Sequence, residues 1–159
     1  MFSFFDILKA RAEIARLKAQ LALLQPPLPP AVRRQVDGNF IFSVINNVKP
    51  SATHIYLSDS QYWLCSENDI NTFLKVDTTN KMGYVPEERD CDDFSYRLMG
   101  QLSIPSWSGI AFGIVWTNLH ALNCLIDDTS KFWFIEPQSD KLQEKLEPWQ
   151  GSEILFILM

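Results

Sequence analysis

The sequence predicts an α+β domain in which one helix precedes an antiparallel sheet. Three observations carry this expectation. In the stretch from Asp90 to Leu102, Phe94, Leu98 and Leu102 fall one turn apart, so a helix begins near Cys91. After Pro105 and Gly109 the pattern changes to apolar, aromatic or β-branched runs at 110–116, 120–126, 132–135 and 153–158, with turns between them. The chain is 47% hydrophobic, 13% aromatic and 21% charged, a profile that supports a packed core rather than disorder. A helix followed by a run of strands is the signature of segregated layers.

Taken from the start, the chain divides into residues 1–25 as a helix, 26–37 as a proline-rich linker and 38–159 as the globular domain. In the helix, Ile7, Ala10, Ile14, Leu17, Leu21 and Leu24 recur at alternating steps of three and four, an apolar seam of the coiled-coil kind. Asp6 and Glu13 fall where they face Arg11 and Lys18 of a parallel partner, so residues 3–25 are expected to make a homo-oligomer. The alternative is an amphipathic helix laid on its own domain or, with Phe2, Phe4 and Phe5, on a membrane. The prolines at 26, 27, 29 and 30 cannot continue a helix and favour a stiff extended spacer; the same stretch also reads as a PxxP ligand. Further on, residues 40–44, 54–57 and 62–65 read as short strands. A short helix follows at 67–74, with Ser66 placed to cap it.

The charge balance restricts partners. The net charge is -5 and no basic cluster stands out, which argues against nucleic acid. Three cysteines, at 65, 91 and 124, make no disulfide framework and fit a reducing compartment. No apolar run reaches the roughly 20 residues that span a bilayer. Asp6 and Lys9 interrupt the apolar start, which excludes a signal peptide, so a cytoplasmic setting is expected.

The chemistry converges on three residues. Cys91 stands at a predicted helix N-terminus, where unpaired N–H groups and the helix dipole favour a thiolate. Asp90, Asp92 and Asp93 oppose that charge and call for an imidazole cation or a metal to restore the balance. His120 opens one strand run and Glu136 ends the next, with a turn-forming Asp127-Asp128-Thr129-Ser130 between them. A hairpin centred near position 128 sets His120 opposite Glu136 on one face, with Cβ atoms about 5 Å apart. A one-residue slip would separate them. In that arrangement the carboxylate accepts the Nδ1 proton and Nε2 faces the thiol, a nucleophile–base–orienter set. The other cysteines, Cys65 and Cys124, sit in apolar runs and read as core. His54 reads as structural, and Trp63, Trp107, Trp116 and Trp133 as core or cleft wall.

The stretch from Tyr84 to Phe94, containing Cys-Asp-Asp-Phe, together with Gly113-Ile-Val-Trp, His120-Ala-Leu-Asn and Phe134-Ile-Glu-Pro-Gln, resembles four ordered blocks of one family. It is the papain-like cysteine protease domain found at the C-terminus of a fungal mushroom agglutinin, a chimeric lectin. The likeness runs from about Leu57 to Lys141. It implies a papain-like fold and a cysteine peptidase acting on a peptide or protein substrate, with Cys91 as nucleophile, His120 as base and Glu136 as orienter. It also implies calcium activation, with Asp92 and Asp93 as ligands. Two adjacent acids fall short of the six to eight oxygens that calcium takes, and Gln138, Asp127 and Asp128 are the candidates to add more. The sugar-binding trefoil of the agglutinin has no counterpart here. Of the two oxyanion donors such enzymes use, the Cys91 N–H supplies one, and Gln61 is the nearest upstream glutamine. Two other readings stand beside the peptidase. One is a non-catalytic structural or interaction module that keeps the fold and oligomerises through its first helix. The other is a transglutaminase or amidase on the same scaffold.

Overall fold

The computed structural model describes residues 4–23, 27–31, 33–48 and 54–159. Helix α1 covers Phe4–Leu23. Its side chains from residue 8 to 18 are all exposed, Leu8, Ile14 and Leu17 among them. The side chains of Asp6, Ile7, Leu21 and Leu24 lie outside the described residues, as do Ser3 and Gln25. Glu13 pairs with Arg16 one turn on in the same helix, at 2.7 Å.

The segment expected to be a spacer is laid against the domain. Pro30 is buried, and the Leu28 carbonyl accepts the Trp107 indole N–H at 2.9 Å. The Ala31 N–H donates to Asp69 Oδ1 at 2.9 Å. The Arg33 guanidinium lies over the Trp63 ring, 4.5 Å from its centroid. Strand β1, Arg34–Asp37, then pairs antiparallel with β3, Gln61–Leu64. The domain therefore recruits residues assigned to the linker, because their backbone groups find partners on its surface.

Helix α2, Gly38–Val48, replaces the strand expected at 40–44. Its buried residues Ile41, Val44 and Ile45 follow the helical spacing of three and four, and Asp37 Oδ1 accepts the Phe40 N–H at 2.8 Å, a capping contact. Helix α3, Glu67–Val76, begins as expected: Ser66 Oγ accepts the Asp69 N–H at 3.1 Å, and Asp69 reaches back to the Ser66 N–H at 3.2 Å. Helix α4, Cys91–Leu102, buries Phe94, Leu98 and Leu102.

The main sheet is mixed rather than antiparallel. Its strands are β2 (His54–Tyr56), β4 (Phe112–Thr117), β5 (Ala121–Ile126), β6 (Phe132–Glu136), β7 (Lys141–Gln143) and β8 (Ile154–Leu158), in the spatial order β2-β8-β4-β5-β6-β7. Four junctions are antiparallel, but β2 runs parallel to β8 at the edge. The two come from opposite ends of the domain, so no hairpin dictates their sense. The fold is thus α+β, with a mixed sheet and four α-helices among the described residues.

Helices cover both faces of the sheet. On one side Leu122, Cys124, Phe134 and Ile157 pack with Ile41 and Ile45 of α2. On the other, Leu125, Trp133 and Ile135 pack with Phe73 of α3 and Leu98 of α4. This explains why β5 and β6 are buried at every position and read as continuous apolar runs. At Gly113 a Cβ would lie 2.0 Å from the Leu158 carbonyl oxygen, so only glycine lets β8 close on β4 there.

Candidate functional site

The site lies where the start of α4 meets the start of β5 and the end of β6. The first turn of α4 is pinned from two directions. Asp93 turns back to accept the Asp90 N–H at 3.2 Å. The Ser95 hydroxyl donates to the Cys91 carbonyl at 2.9 Å. Asn123, fully buried on β5, donates to the Ser95 carbonyl at 3.0 Å and to the Gly113 carbonyl at 3.1 Å, tying α4 to β4 and β5. Cys91 is held beside the backbone of Ala121 in this way.

His120 ends the tight turn between β4 and β5. Its N–H donates to the Thr117 hydroxyl at 2.9 Å, and its carbonyl accepts the Thr117 N–H at 2.9 Å. The ring meets Glu136: Nε2 and Oε2 are 2.8 Å apart, with both side chains buried. The hairpin register differs from the expected one. Asn123 pairs with Ile135 and Cys124 with Phe134, so Glu136 lies two residues along from the position facing His120. A slip of two preserves the face, which is why the pair still forms. The nitrogen engaged is Nε2 rather than Nδ1. With Nε2 donating to the carboxylate, Nδ1 is the ring nitrogen left for a ligand.

Two participants carried no sequence signal strong enough to single them out. Gln150, fully buried, donates from Nε2 to Glu136 Oε2 at 2.9 Å. Its own oxygen accepts from Gln143 Nε2 and from the Glu147 N–H, so its orientation is set. Glu136 Oε1 accepts the Gln138 N–H at 3.3 Å. Next to Gln150, Trp149 is 58% exposed and stands edge-on to the His120 ring with centroids 4.9 Å apart. In the sequence, the run Pro-Trp-Gln-Gly offers no cue beyond the tryptophan itself.

The electrostatics at Cys91 run against a thiolate. Partial burial pushes its thiol up, and the charges of Asp90 and Asp92 add to the rise; the Ala121 N–H pulls only partly the other way. Among the described residues no hydrogen bond joins its sulfur to the His120 ring. The contact between Asp90 and Asp92 pulls the Asp90 carboxyl down and pushes Asp92 up. Cys65 and Cys124 are fully buried, and burial first of all pushes Cys65 up to about 12 and Cys124 up as well.

The acids sort differently from the expected calcium set. Ligand atoms of Asp90, Cys91 and Asp92 lie within 4.8 Å of one another, whereas Asp93 is turned to the helix cap. Asp127 is consumed by its own turn. Its Oδ1 accepts from the Thr129 N–H, the Thr129 hydroxyl and the Lys131 N–H, and its Oδ2 from the Trp133 indole. Three of these four bonds fall on Oδ1, so Asp127 is mostly engaged in holding its own turn. Among the described residues no helix is long and apolar enough to cross a membrane.

No protein-family profile matches the chain, and no curated protein matches it. Its fold matches solved structures of Polyporus squamosus lectin. A PSL1a-E64 complex aligns with a TM-score of 0.67 at 18% identity, over 79% of this chain and 50% of that one. The lectin bound to the human-type influenza-binding epitope Neu5Aca2-6Galb1-4GlcNAc aligns with a TM-score of 0.62, also at 18% identity, over 79% and 49%. The chain therefore spans about half the length of the chains it matches, and identity this low shows the fold alone. These findings correct the reading of a papain-like cysteine peptidase with a Cys91–His120–Glu136 triad. The solved structures named above are of a lectin, and the burial of Cys91 and the charges of Asp90 and Asp92 push its thiol up, away from the thiolate that reading needs.

Proposed function

We propose that this chain is a non-catalytic interaction module. It keeps the arrangement expected of the papain-like architecture, a helix N-terminus set against a sheet, and uses it to bind rather than to cleave. The residues assigned to meet the ligand are Trp149 and His120, whose rings touch, and Cys91 with its neighbours Asp90 and Asp92. The observation that carries the reading is the state of Cys91: a thiol pushed up by burial and by two acids is a weak nucleophile and an adequate wall. Exposed Trp149 supplies a flat apolar surface beside a hydrogen-bonding ring. Polyporus squamosus lectin is seen with a trisaccharide epitope, which makes a glycan the first ligand class to test here.

Calorimetry with that trisaccharide on the full chain and on Trp149→Ala is the measurement. Binding that Trp149→Ala abolishes is the expected result. E64, with which PSL1a is seen in complex, serves as the opposing, thiol-directed probe. Alkylation of Cys91 should be slow near pH 6 and keep rising with pH through and beyond the range of an ordinary thiol, because a raised pKa shifts the thiolate to higher pH. An E64 adduct on Cys91 at pH 6, together with peptide hydrolysis lost in Cys91→Ala, would overturn the binding-only reading.

The module is presented in more than one copy through α1. Ile14 and Leu17 are 52% and 50% exposed on one stripe of a helix that is marginal alone in water. Light scattering on the full chain and on one starting at residue 27 decides this: oligomer and monomer are expected, and two monomers at tens of micromolar remove the idea.

A further inference from the structure

A second cluster of polar groups lies at the other end of the β6–β7 turn. Helix α3 ends at Val76, and Asp77 follows as its last cap, with its N–H bonded to the Phe73 carbonyl at 3.0 Å. Asp77 Oδ2 accepts the N–H of Thr79 at 2.7 Å, which opens the short 3-10 turn Thr79–Lys81. Across from it, the turn after β6 closes on Asp140, whose φ is 58°. Asn80 Nδ2 donates to Asp140 Oδ2, joining the two turns.

Each of these four residues keeps one oxygen that is buried and has no hydrogen-bond partner: Asp77 Oδ1, Thr79 Oγ1, Asn80 Oδ1 and Asp140 Oδ1. Asp77 is 6% exposed and Thr79 is fully buried. One orphaned oxygen is a small defect; four in two adjoining turns is a pattern. A buried oxygen that nothing answers has lost its water without recompense, so each is a standing cost to the fold. Asp140 also feels the charge of Asp77. Burial, and then the charge of Asp77, push the Asp140 carboxyl up to about 6, and Lys81 only partly offsets them.

We infer that Asp77, Thr79, Asn80 and Asp140 form a binding site for a hard divalent cation. The donors are two carboxylates, an amide carbonyl and a hydroxyl, which is oxygen chemistry suited to calcium and free of the sulfur and imidazole that select softer metals. The site is separate from the Asp90–Asp92 pair. A bound cation fastens the loop after α3 to the turn that starts at Glu136, and so stiffens the segment carrying the His120 partner. The competing account is that the Asp140 carboxyl takes up a proton and needs no ion.

The experiment is calorimetric titration of calcium chloride, with magnesium chloride as comparator, into the chelator-treated full chain, with thermal melts alongside. One calcium per chain is expected, with a melting temperature that rises with calcium concentration. Asp77→Asn and Asp140→Asn should weaken binding by about tenfold or more, while Asp92→Asn leaves it unchanged. Asn80→Asp adds a charge to the ligand set and should tighten it, which keeps the test decisive if Asp140→Asn folds poorly. Absence of binding at millimolar calcium overturns the inference in favour of a protonated Asp140. Loss in Asp92→Asn with retention in Asp140→Asn, or an affinity that Asn80→Asp does not change, overturns it equally.

Discussion

Glu136 and Asp140 stand four residues apart, at the two ends of one turn, and the fold treats them in opposite ways. Glu136 receives His120 Nε2, Gln150 Nε2 and the Gln138 N–H, so its charge is answered from three directions. Asp140 receives one amide, feels the charge of another acid and keeps an unpartnered oxygen. The difference teaches how to read a buried carboxylate. Where the protein supplies donors, the acid organises a neighbour; where it withholds them, the acid is set up for something that arrives from solution.

The largest expected effect comes from destroying the satisfied end. Glu136→Ala leaves His120 Nε2 and Gln150 Nε2 buried without their acceptor, and should cost about 3–5 kcal/mol in a urea unfolding experiment. A midpoint that does not move would mean the two ends are not different in kind. Gln150→Ala removes one of the three donors and should cost less, about 1–3 kcal/mol. Combined with Glu136→Ala it should add little, because both act through one carboxylate; simple additivity would break the network described here. The smallest effect is expected at the other end. In chelator, Asp140→Asn keeps the shape and removes a charge that Asp77 opposes, so stability should change by less than about 1 kcal/mol, in the favourable direction. A loss of several kcal/mol would show that the fold satisfies Asp140 as fully as Glu136.

Much of the architecture was legible because it follows from local rules. The Ser66 cap predicted α3, and the spacing of Phe94, Leu98 and Leu102 predicted α4 with Cys91 at its head. The apolar runs predicted β4, β5, β6 and β8. Residues 40–44 misled, since a short apolar run reads equally as strand or helix; the cap at Asp37 and burial on one stripe made it helical. Strand β1 was invisible because Arg34 and Gln35 are exposed and carry no alternation. At the site, the sequence brought His120 and Glu136 to one face through the turn between them. Gln150 was out of reach, because nothing local relates it to residue 136.

By itself, then, the sequence determined the layers, the helix that begins at Cys91 and the parity that lets His120 meet Glu136, since periodicity and turn chemistry are properties of neighbouring residues. Only the tertiary structure decided which ring nitrogen Glu136 engages, that Asp127 holds its own turn and the Trp133 indole, and that burial beside Asp90 and Asp92 pushes the Cys91 thiol up. The physical reason is the same in each case. A side chain's protonation and partners depend on what is packed around it in space, and packing joins residues such as 77 and 140 that no local pattern relates.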